Sequence, residues 1–171
     1  MEANAGAAGT IARRPAARVA AGGVLLAHHG TAGAALAERR AWRIAAAANL
    51  PIVHLYVVPD FWAGMQGDDW LNNAWTRDAF AAHLEGHLEA EAKAQLQAVA
   101  AGCAERGFPC EPVLRVGDPT DCLIKTATEY HAAWVVIGPP RAKGVPGYRC
   151  RVDLERLVRG LRVPLVVAQG E

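Results

Sequence analysis

The sequence predicts an α/β fold built on an open, doubly wound parallel sheet. Continuous apolar runs alternate with stretches of helical periodicity, and these runs are too short and too rich in β-branched residues to be good helices. Strands without polar alternation are typical of a parallel sheet that helices cover on both faces. A chain of 171 residues, of which 52% are hydrophobic, is long enough for one such domain and too short for two ordinary ones.

The first strand and helix follow an N-terminal stretch that has too few large apolar side chains to form a hydrophobic core. Residues 1–20 are rich in Ala, Gly and Arg with almost no large apolar side chains, so we expect a disordered tail before a domain at residues 21–171. The first strand is predicted in VLLAH, from Val24, and the first helix in TAGAALAERRAWRIAAAANL. Residues of this helix at helical spacing are Leu36, Ala37, Arg40, Ile44 and Ala47.

Two further strands flank a long helix. PIVHLYVVP is a second continuous apolar run, bounded by a proline at each end, and PCEPVLRVG is a weaker third strand. Between them, from Thr76 to about Arg106, apolar residues recur at steps of three and four and predict an amphipathic helix. These apolar residues are Phe80, Leu84, Leu88, Leu96, Val99 and Cys103.

The segment GDPTD contains the clearest helix start in the chain. Asp118 can cap the helix, Pro119 suits its first position, and Asp121 lies in the first turn near the positive end of the helix dipole. We expect this helix to end near Tyr130. WVVIG then predicts a fourth strand, residues 152–160 a short helix and VPLVVAQ a fifth strand, so that strands and helices alternate throughout.

Charge and cysteine content exclude several classes of partner. Eighteen basic and seventeen acidic residues give a net charge of +1, so no long-range field points to nucleic acid or to a membrane surface, and any anion site must be local. No apolar run is long enough to span a bilayer. The four cysteines form no C-x-x-C pair and have no zinc-site spacing, so we expect free thiols, a cytoplasmic location and no metal.

Three segments together resemble the universal stress protein family. They are HHGT after the first strand, the unit GDPTDCLIKTATEYHAAWVVIG, and the closing VDLERLVRGLRVPLVV. The resemblance covers about residues 23–169, apart from an unusual aromatic-rich insertion at about 60–75. It implies a Rossmann-like sheet of five strands in the order 3-2-1-4-5 and a homodimer formed through the last strand.

That strand order implies a crevice between the first and fourth strands. Ligands of open α/β sheets bind outside the carboxyl ends of the strands, at the point where the strand order reverses. HHGT and GPPRAKG therefore face the same crevice. The candidate site residues are His29, Gly30, Thr31, Gly138, Arg141, Lys143 and Arg151.

The ATP-binding motif of the family is degenerate in this sequence. Family members that bind ATP have Gly, two residues, Gly, nine residues, then Gly and Ser or Thr, and these positions fall on Gly138, Arg141, Arg151 and Val152. A Cβ at the second and third positions limits close approach of the backbone to phosphates, and valine supplies no hydroxyl. The family's first-loop aspartate is replaced by His29.

Three interpretations of the basic loop stay open. It is a solvated surface, it holds a different anion through Arg141, Lys143, Arg149 and Arg151, or it binds ATP with altered geometry. Cofactors are not expected, although ATP or another phosphorylated ligand is an open alternative.

Other polar and aromatic groups have both a structural and a functional interpretation. His28 and His29 can be acid–base or metal groups, or satisfied side chains at a strand end. His83 and His87 have the spacing of two metal ligands on one helix face, but packing is favoured. The insertion at 60–75, with Trp62 and Trp70, can be a lid, a partner surface or a cover over the long helix.

Recognisable catalytic signatures are absent from the sequence. The chain has no serine, and neither G-x-G-x-x-G nor G-x-x-x-x-G-K-[ST] occurs. The expected function is that of a stress-response factor that binds a ligand or a protein partner, without robust catalysis and without the standard ATP site. The alternative is a nucleotide-binding protein with slow ATP hydrolysis.

Overall fold

A computed structural model describes residues 22–28, 31–58, 74–139 and 152–169, with the backbone only for 74–89. Strands and helices alternate through these ranges, as the sequence predicts. The long helix spans two residues more at its amino end than expected and ends one residue earlier. The elements are β1 (Val24–Ala27), α1 (Ala32–Ala48), β2 (Ile52–Val58), α2 (Ala74–Glu105), β3 (Cys110–Val116), α3 (Pro119–Glu129), β4 (Trp134–Ile137), α4 (Leu154–Gly160) and β5 (Leu165–Val167).

The five strands form one parallel sheet in the order β3-β2-β1-β4-β5, which confirms the predicted topology. The central strand β1 pairs with β2 on one side and β4 on the other, so that Val24 lies opposite both Ile52 and Trp134. The strand order reverses between β1 and β4. The switch point at which such sheets bind ligands therefore lies between these two strands.

Helices cover both faces of the sheet. Core clusters place α1 and α2 on one face and α3 and α4 on the other. The face of α1 that meets the sheet is made of small side chains, which lets the helix approach the strands closely, while Leu36 and Ile44 pack at its flank and Ala47 is exposed. The buried residues of α1 are Ala34, Ala37, Ala41 and Ala45.

Side-chain caps begin the helices on the second face. Asp118 caps α3 and accepts a hydrogen bond from Asp121 N at 2.9 Å, with Pro119 at the first helical position, as predicted. Asp153 caps α4 in the same way, and its own N–H donates to Thr120 Oγ1 at 3.0 Å. Arg156 of α4 forms ion pairs with Asp118 and with Asp121. These contacts fix α3 and α4 against each other.

Three cysteines lie in the described part of the chain. Cys103, Cys110 and Cys122 are free thiols. Within the ranges that the structure describes, no helix is long and apolar enough to cross a membrane. The predicted tail at 1–20 and Cys150 lie outside the described residues.

Candidate functional site

Helix α1 begins after β1, at the switch point where the strand order reverses between β1 and β4. Thr31 caps the helix, because its Oγ1 accepts a hydrogen bond from Ala34 N at 3.2 Å. Residues Ser, Thr, Asp and Asn favour this position because their side chains satisfy an N–H group that has no partner within the helix. The hydroxyl of Thr31 therefore has a structural role at the edge of the crevice.

Gly138 follows β4 and packs against the first turn of α1. A Cβ at this position would lie 2.6 Å from Gly33 O and 3.1 Å from Ala34 N, so only glycine fits without moving backbone atoms. Pro139 packs from the same side, because a Cβ on Gly33 would be 3.1 Å from Pro139 Cδ. The end of β4 and the start of α1 thus meet in backbone contact.

Two of the seven predicted site residues fall within the described part of the chain. Thr31 and Gly138 both adjoin the first turn of α1, so the structure brings these two residues to the same place in the fold. The remaining predicted site residues lie outside the described ranges, as do residues 60–73 and the side chains of His83 and His87. These remaining site residues are His29, Gly30, Arg141, Lys143 and Arg151.

A buried polar cluster lies at the carboxyl end of β1. His28 is 6% exposed, and its Nε2 lies 3.5 Å from Glu38 Oε2 on α1. His54 of β2 is fully buried, and its Nε2–H donates to the His28 carbonyl at 3.2 Å. Its Nδ1 has no hydrogen-bond partner in the described part of the molecule. The cluster thus joins β1, β2 and α1 through polar contacts.

The two histidines of this cluster differ in what they can do. Burial lowers the pKa of His54 from 6.5 to about 4, an effect that the hydrogen bond to His28 O only partly offsets, so His54 is neutral at physiological pH. His28 differs in facing a carboxylate, because its Nε2 lies 3.5 Å from Glu38 Oε2. Sequence reasoning missed His54 and Glu38, because the first lies in an apolar strand and the second in an Ala-rich helix.

A model of the universal stress protein family matches residues 23–169 of the sequence. The chain belongs to the universal stress protein family. No curated protein matches it. Among solved structures, a universal stress protein from Burkholderia pseudomallei is 24% identical with a TM-score of 0.62, and the alignment covers 90% of this chain and 98% of the other.

Two other solved universal stress proteins that resemble this one are nucleotide complexes. The protein from Archaeoglobus fulgidus in complex with dAMP is 17% identical, with a TM-score of 0.57 and coverage of 86% of this chain and 98% of that one. The family protein from Arabidopsis thaliana with AMP bound is 16% identical, with a TM-score of 0.55 and coverage of 88% and 92%. At these identities the similarity establishes the fold.

This universal stress protein also has a groove between α1 and β5, with a volume of about 410 Å³. Helix α1 packs on β1, β2 and β4, and β5 lies beyond β4 at the edge of the sheet. Arginines of α1 form one wall, and residues of β5 and the two residues after it form the other. The lining residues are Leu36, Arg39, Arg40, Arg43, Val166, Val167, Ala168 and Gln169. No cluster of three potential metal ligands occurs among the described residues.

Proposed function

We propose that this universal stress protein is a stress-response factor that binds a phosphorylated small ligand in the crevice between β1 and β4, without robust catalysis. The observation that carries the proposal is that Thr31 and Gly138 both adjoin the first turn of α1. The sequence predicts both residues at the carboxyl ends of neighbouring strands. Their meeting at the strand-order reversal supports a binding site there.

The chemistry of the basic loop distinguishes this site from the ATP site of the family. At the first glycine position of the motif this chain has Gly138, where the backbone packing leaves no room for a Cβ. At the other two glycine positions of the motif it has Arg141 and Arg151. Arginine side chains can replace backbone N–H groups as donors to an anion, because the guanidinium presents a planar fork that matches phosphate oxygens. We infer that Arg141, Lys143 and Arg151 hold the phosphate, together with His29, Gly30 and Thr31.

The nucleotides bound by similar structures favour a ligand with one phosphate. Two of the similar structures hold AMP and dAMP, and another universal stress protein is a complex with cAMP. A single phosphate needs fewer close backbone contacts than a triphosphate with its magnesium ion. We therefore expect an adenosine monophosphate to bind more tightly than ATP, and ATP to bind weakly or not at all.

Isothermal titration of the full chain tests this function. The titrants are inorganic phosphate, AMP, cAMP and ATP with magnesium, and the variant is Arg141→Gln/Arg151→Gln. Loss of two charge-assisted contacts should weaken binding of the monophosphate by about 2 to 4 kcal/mol, or roughly 30- to 1000-fold. The control Lys93→Gln/Lys125→Gln removes the same charge from exposed positions of α2 and α3 and should bind as the wild type does. Equal binding by all three proteins would mean that the loop is a solvated surface.

The alternative function is nucleotide binding with slow ATP hydrolysis. The nucleotide complexes of similar proteins support it. Micromolar affinity for ATP with magnesium, together with phosphate release that the Arg141→Gln/Arg151→Gln variant loses, would establish this alternative and contradict the preferred one. Mass spectrometry of any small molecule released when the purified protein is denatured identifies the ligand directly.

We also propose that the protein is a cytoplasmic homodimer assembled through β5. This strand is an edge of the sheet, and its residues Leu165–Val167 are only half-buried in the single chain. An apolar edge strand has unpaired backbone N–H and C=O groups, which a second protomer related by a twofold axis can cover. The free thiols Cys103, Cys110 and Cys122 support a reducing compartment.

A further inference from the structure

Helix α1 has a second stripe of side chains, separate from the stripe that packs on the sheet. Leu36, Arg39, Arg40 and Arg43 are spaced i, i+3, i+4 and i+7, so they share one side of the helix. None of them belongs to the buried face of α1, and the three arginines are exposed. All four residues line the groove between α1 and β5. One wall of this groove therefore has three positive charges.

The charge of this wall is not balanced within the described part of the molecule. The only acidic residue of α1 is Glu38, whose Oε2 lies 3.5 Å from His28 Nε2. Among the described residues, none of the three arginines forms an ion pair. The last turn of α1, where the negative end of the helix dipole favours basic residues, contains none of them. Like charges at this spacing destabilise a helix, so a bound anion would stabilise the wall.

The opposite wall of the groove is mainly apolar. Val166, Val167 and Ala168 line it, followed by Gln169. Val166 is half-buried and Ala168 is 6% exposed, and both pack on the α1 face of the sheet. The groove has a volume of about 410 Å³. A ligand that fills it therefore meets guanidinium groups on one side and apolar side chains on the other.

The spacing of the arginines fits alternate side chains of an extended peptide. Arg39 and Arg43 are about one helical turn apart, or roughly 6 Å along the axis of α1. Side chains i and i+2 of an extended chain point to the same side and are about 6.6 Å apart, and the residue between them points the other way. Carboxylates at i and i+2 can thus each accept hydrogen bonds from one guanidinium, while the intervening apolar side chain meets the β5 wall. A nucleic acid backbone offers no such apolar side chains.

We propose that the groove between α1 and β5 binds an extended acidic segment of a partner protein, in which carboxylate side chains alternate with apolar ones. The carboxylates pair with Arg39, Arg40 and Arg43, and the apolar side chains pack on Val166. The site is separate from the proposed crevice ligand. It also leaves the edge of β5 to the proposed homodimer, because the backbone groups of a strand lie in the plane of the sheet and the groove lies on its α1 face.

Fluorescence anisotropy of a labelled peptide with the full chain tests the site. The probe is a synthetic peptide in which three glutamates alternate with three valines, and its isomer has the three glutamates adjacent. We expect saturable binding of the alternating peptide and binding of the isomer that is weaker by about tenfold, because the isomer loses at least one charge-assisted contact. Equal binding of the two peptides would overturn the proposal, as would a deoxythymidine hexanucleotide that binds as tightly as the alternating peptide.

Arginine variants locate the binding. Arg39→Gln/Arg43→Gln should weaken binding of the alternating peptide by about tenfold or more. The control Arg159→Gln/Arg162→Gln removes the same charge from exposed positions in and just after α4, which packs on the opposite face of the sheet, and it should bind as the wild type does. Equal weakening in both variants would mean that the peptide responds to total charge rather than to the groove.

Two further measurements separate peptide docking from assembly. Arg39→Glu/Arg43→Glu should lose the glutamate peptide and bind a peptide in which lysine replaces each glutamate; failure to bind the lysine peptide would count against direct pairing. Light scattering should give Arg39→Gln/Arg43→Gln the mass of the wild type, because both arginines are on α1 rather than in β5. A changed mass together with lost binding would show that the arginines hold the assembly instead of a peptide.

Discussion

His28 and His54 lie edge to face, with ring centroids 5.7 Å apart and ring planes at 85°. His54 donates from Nε2 to the backbone of His28, and His28 in turn faces Glu38. The carboxyl end of β1 is thus held by a neutral, fully buried imidazole in the neighbouring strand. Protonation of that imidazole would place a charge in the core beside a second histidine, which links the stability of the fold to pH.

The first prediction concerns stability in acid. The pKa of His54 is about 4 in the folded protein and 6.5 when unfolded, so the unfolded chain binds more protons between these values. The contribution of His54 is fully present above pH 6.5 and is lost as pH falls toward 4. Urea unfolding at about pH 7.5 and 4.5 should show a loss of about 2 to 3 kcal/mol from this residue.

His54→Gln should remove that part of the pH dependence, because glutamine can donate a hydrogen bond but does not titrate in this range. His131→Asn, at an exposed position with φ of 48°, is the matched control and should retain the slope of the wild type. A His54→Gln protein with the same pH dependence as the wild type would show that His54 is not the group responsible.

The second prediction concerns Gly138. Gly138→Ala should lower the free energy of unfolding by about 1 to 3 kcal/mol, because the new Cβ meets backbone atoms of Gly33 and Ala34 that cannot rotate away. Gly160→Ala is the control: its Cβ would lie 2.4 Å from Ile124 Cδ1, the end of a side chain that can change rotamer. Denaturation midpoints compare the two. Equal costs would mean that the end of β4 can move away from α1.

A third prediction separates the cap of α3 from its ion pair. Asp118→Ala should cost about 1 kcal/mol in urea unfolding, because Asp121 N loses its acceptor. Asp118→Asn keeps the cap and removes only the charge that faces Arg156, so its stability should stay within a few tenths of a kcal/mol of the wild type. If the asparagine variant loses as much as the alanine variant, the ion pair matters more than the cap.

The fourth prediction concerns assembly. Light scattering should show a dimer for the wild type and a monomer or unfolded protein for Val166→Lys, which places a charge on the half-buried edge strand β5. Val158→Lys alters a residue of α4 that is 63% exposed, and it should change neither the fold nor the mass. An unchanged dimer for Val166→Lys would place the interface elsewhere on the molecule.

Patterns along the chain predicted the elements better than the contacts between them. Strands were predicted because they are continuous apolar runs, and the α3 cap because GDPTD contains its acceptor and its proline. The strand order came from a family resemblance, since periodicity does not specify which strands are neighbours. The buried face of α1 could not be predicted, because alanine occurs on every side of that helix.

The candidate site was only partly predictable for the same reason. Thr31 and Gly138 follow strands whose ends meet, so topology was enough to bring them together. His54 lies among apolar residues in β2, and its contact with His28 depends on strand register.

The position of β1 has a consequence for synthesis of the protein. This strand is central in the sheet, yet Val24 pairs with Trp134, about 110 residues later in the sequence. At typical elongation rates of about 5 to 20 residues per second, a ribosome needs roughly 5 to 20 s to make the chain between them. During that time the backbone N–H and C=O groups of β1 that later pair with β4 have no partner strand, and the apolar side chains of β1 are not yet covered. Chaperones that shield strand edges should therefore matter most for this protein while it is still attached to the ribosome.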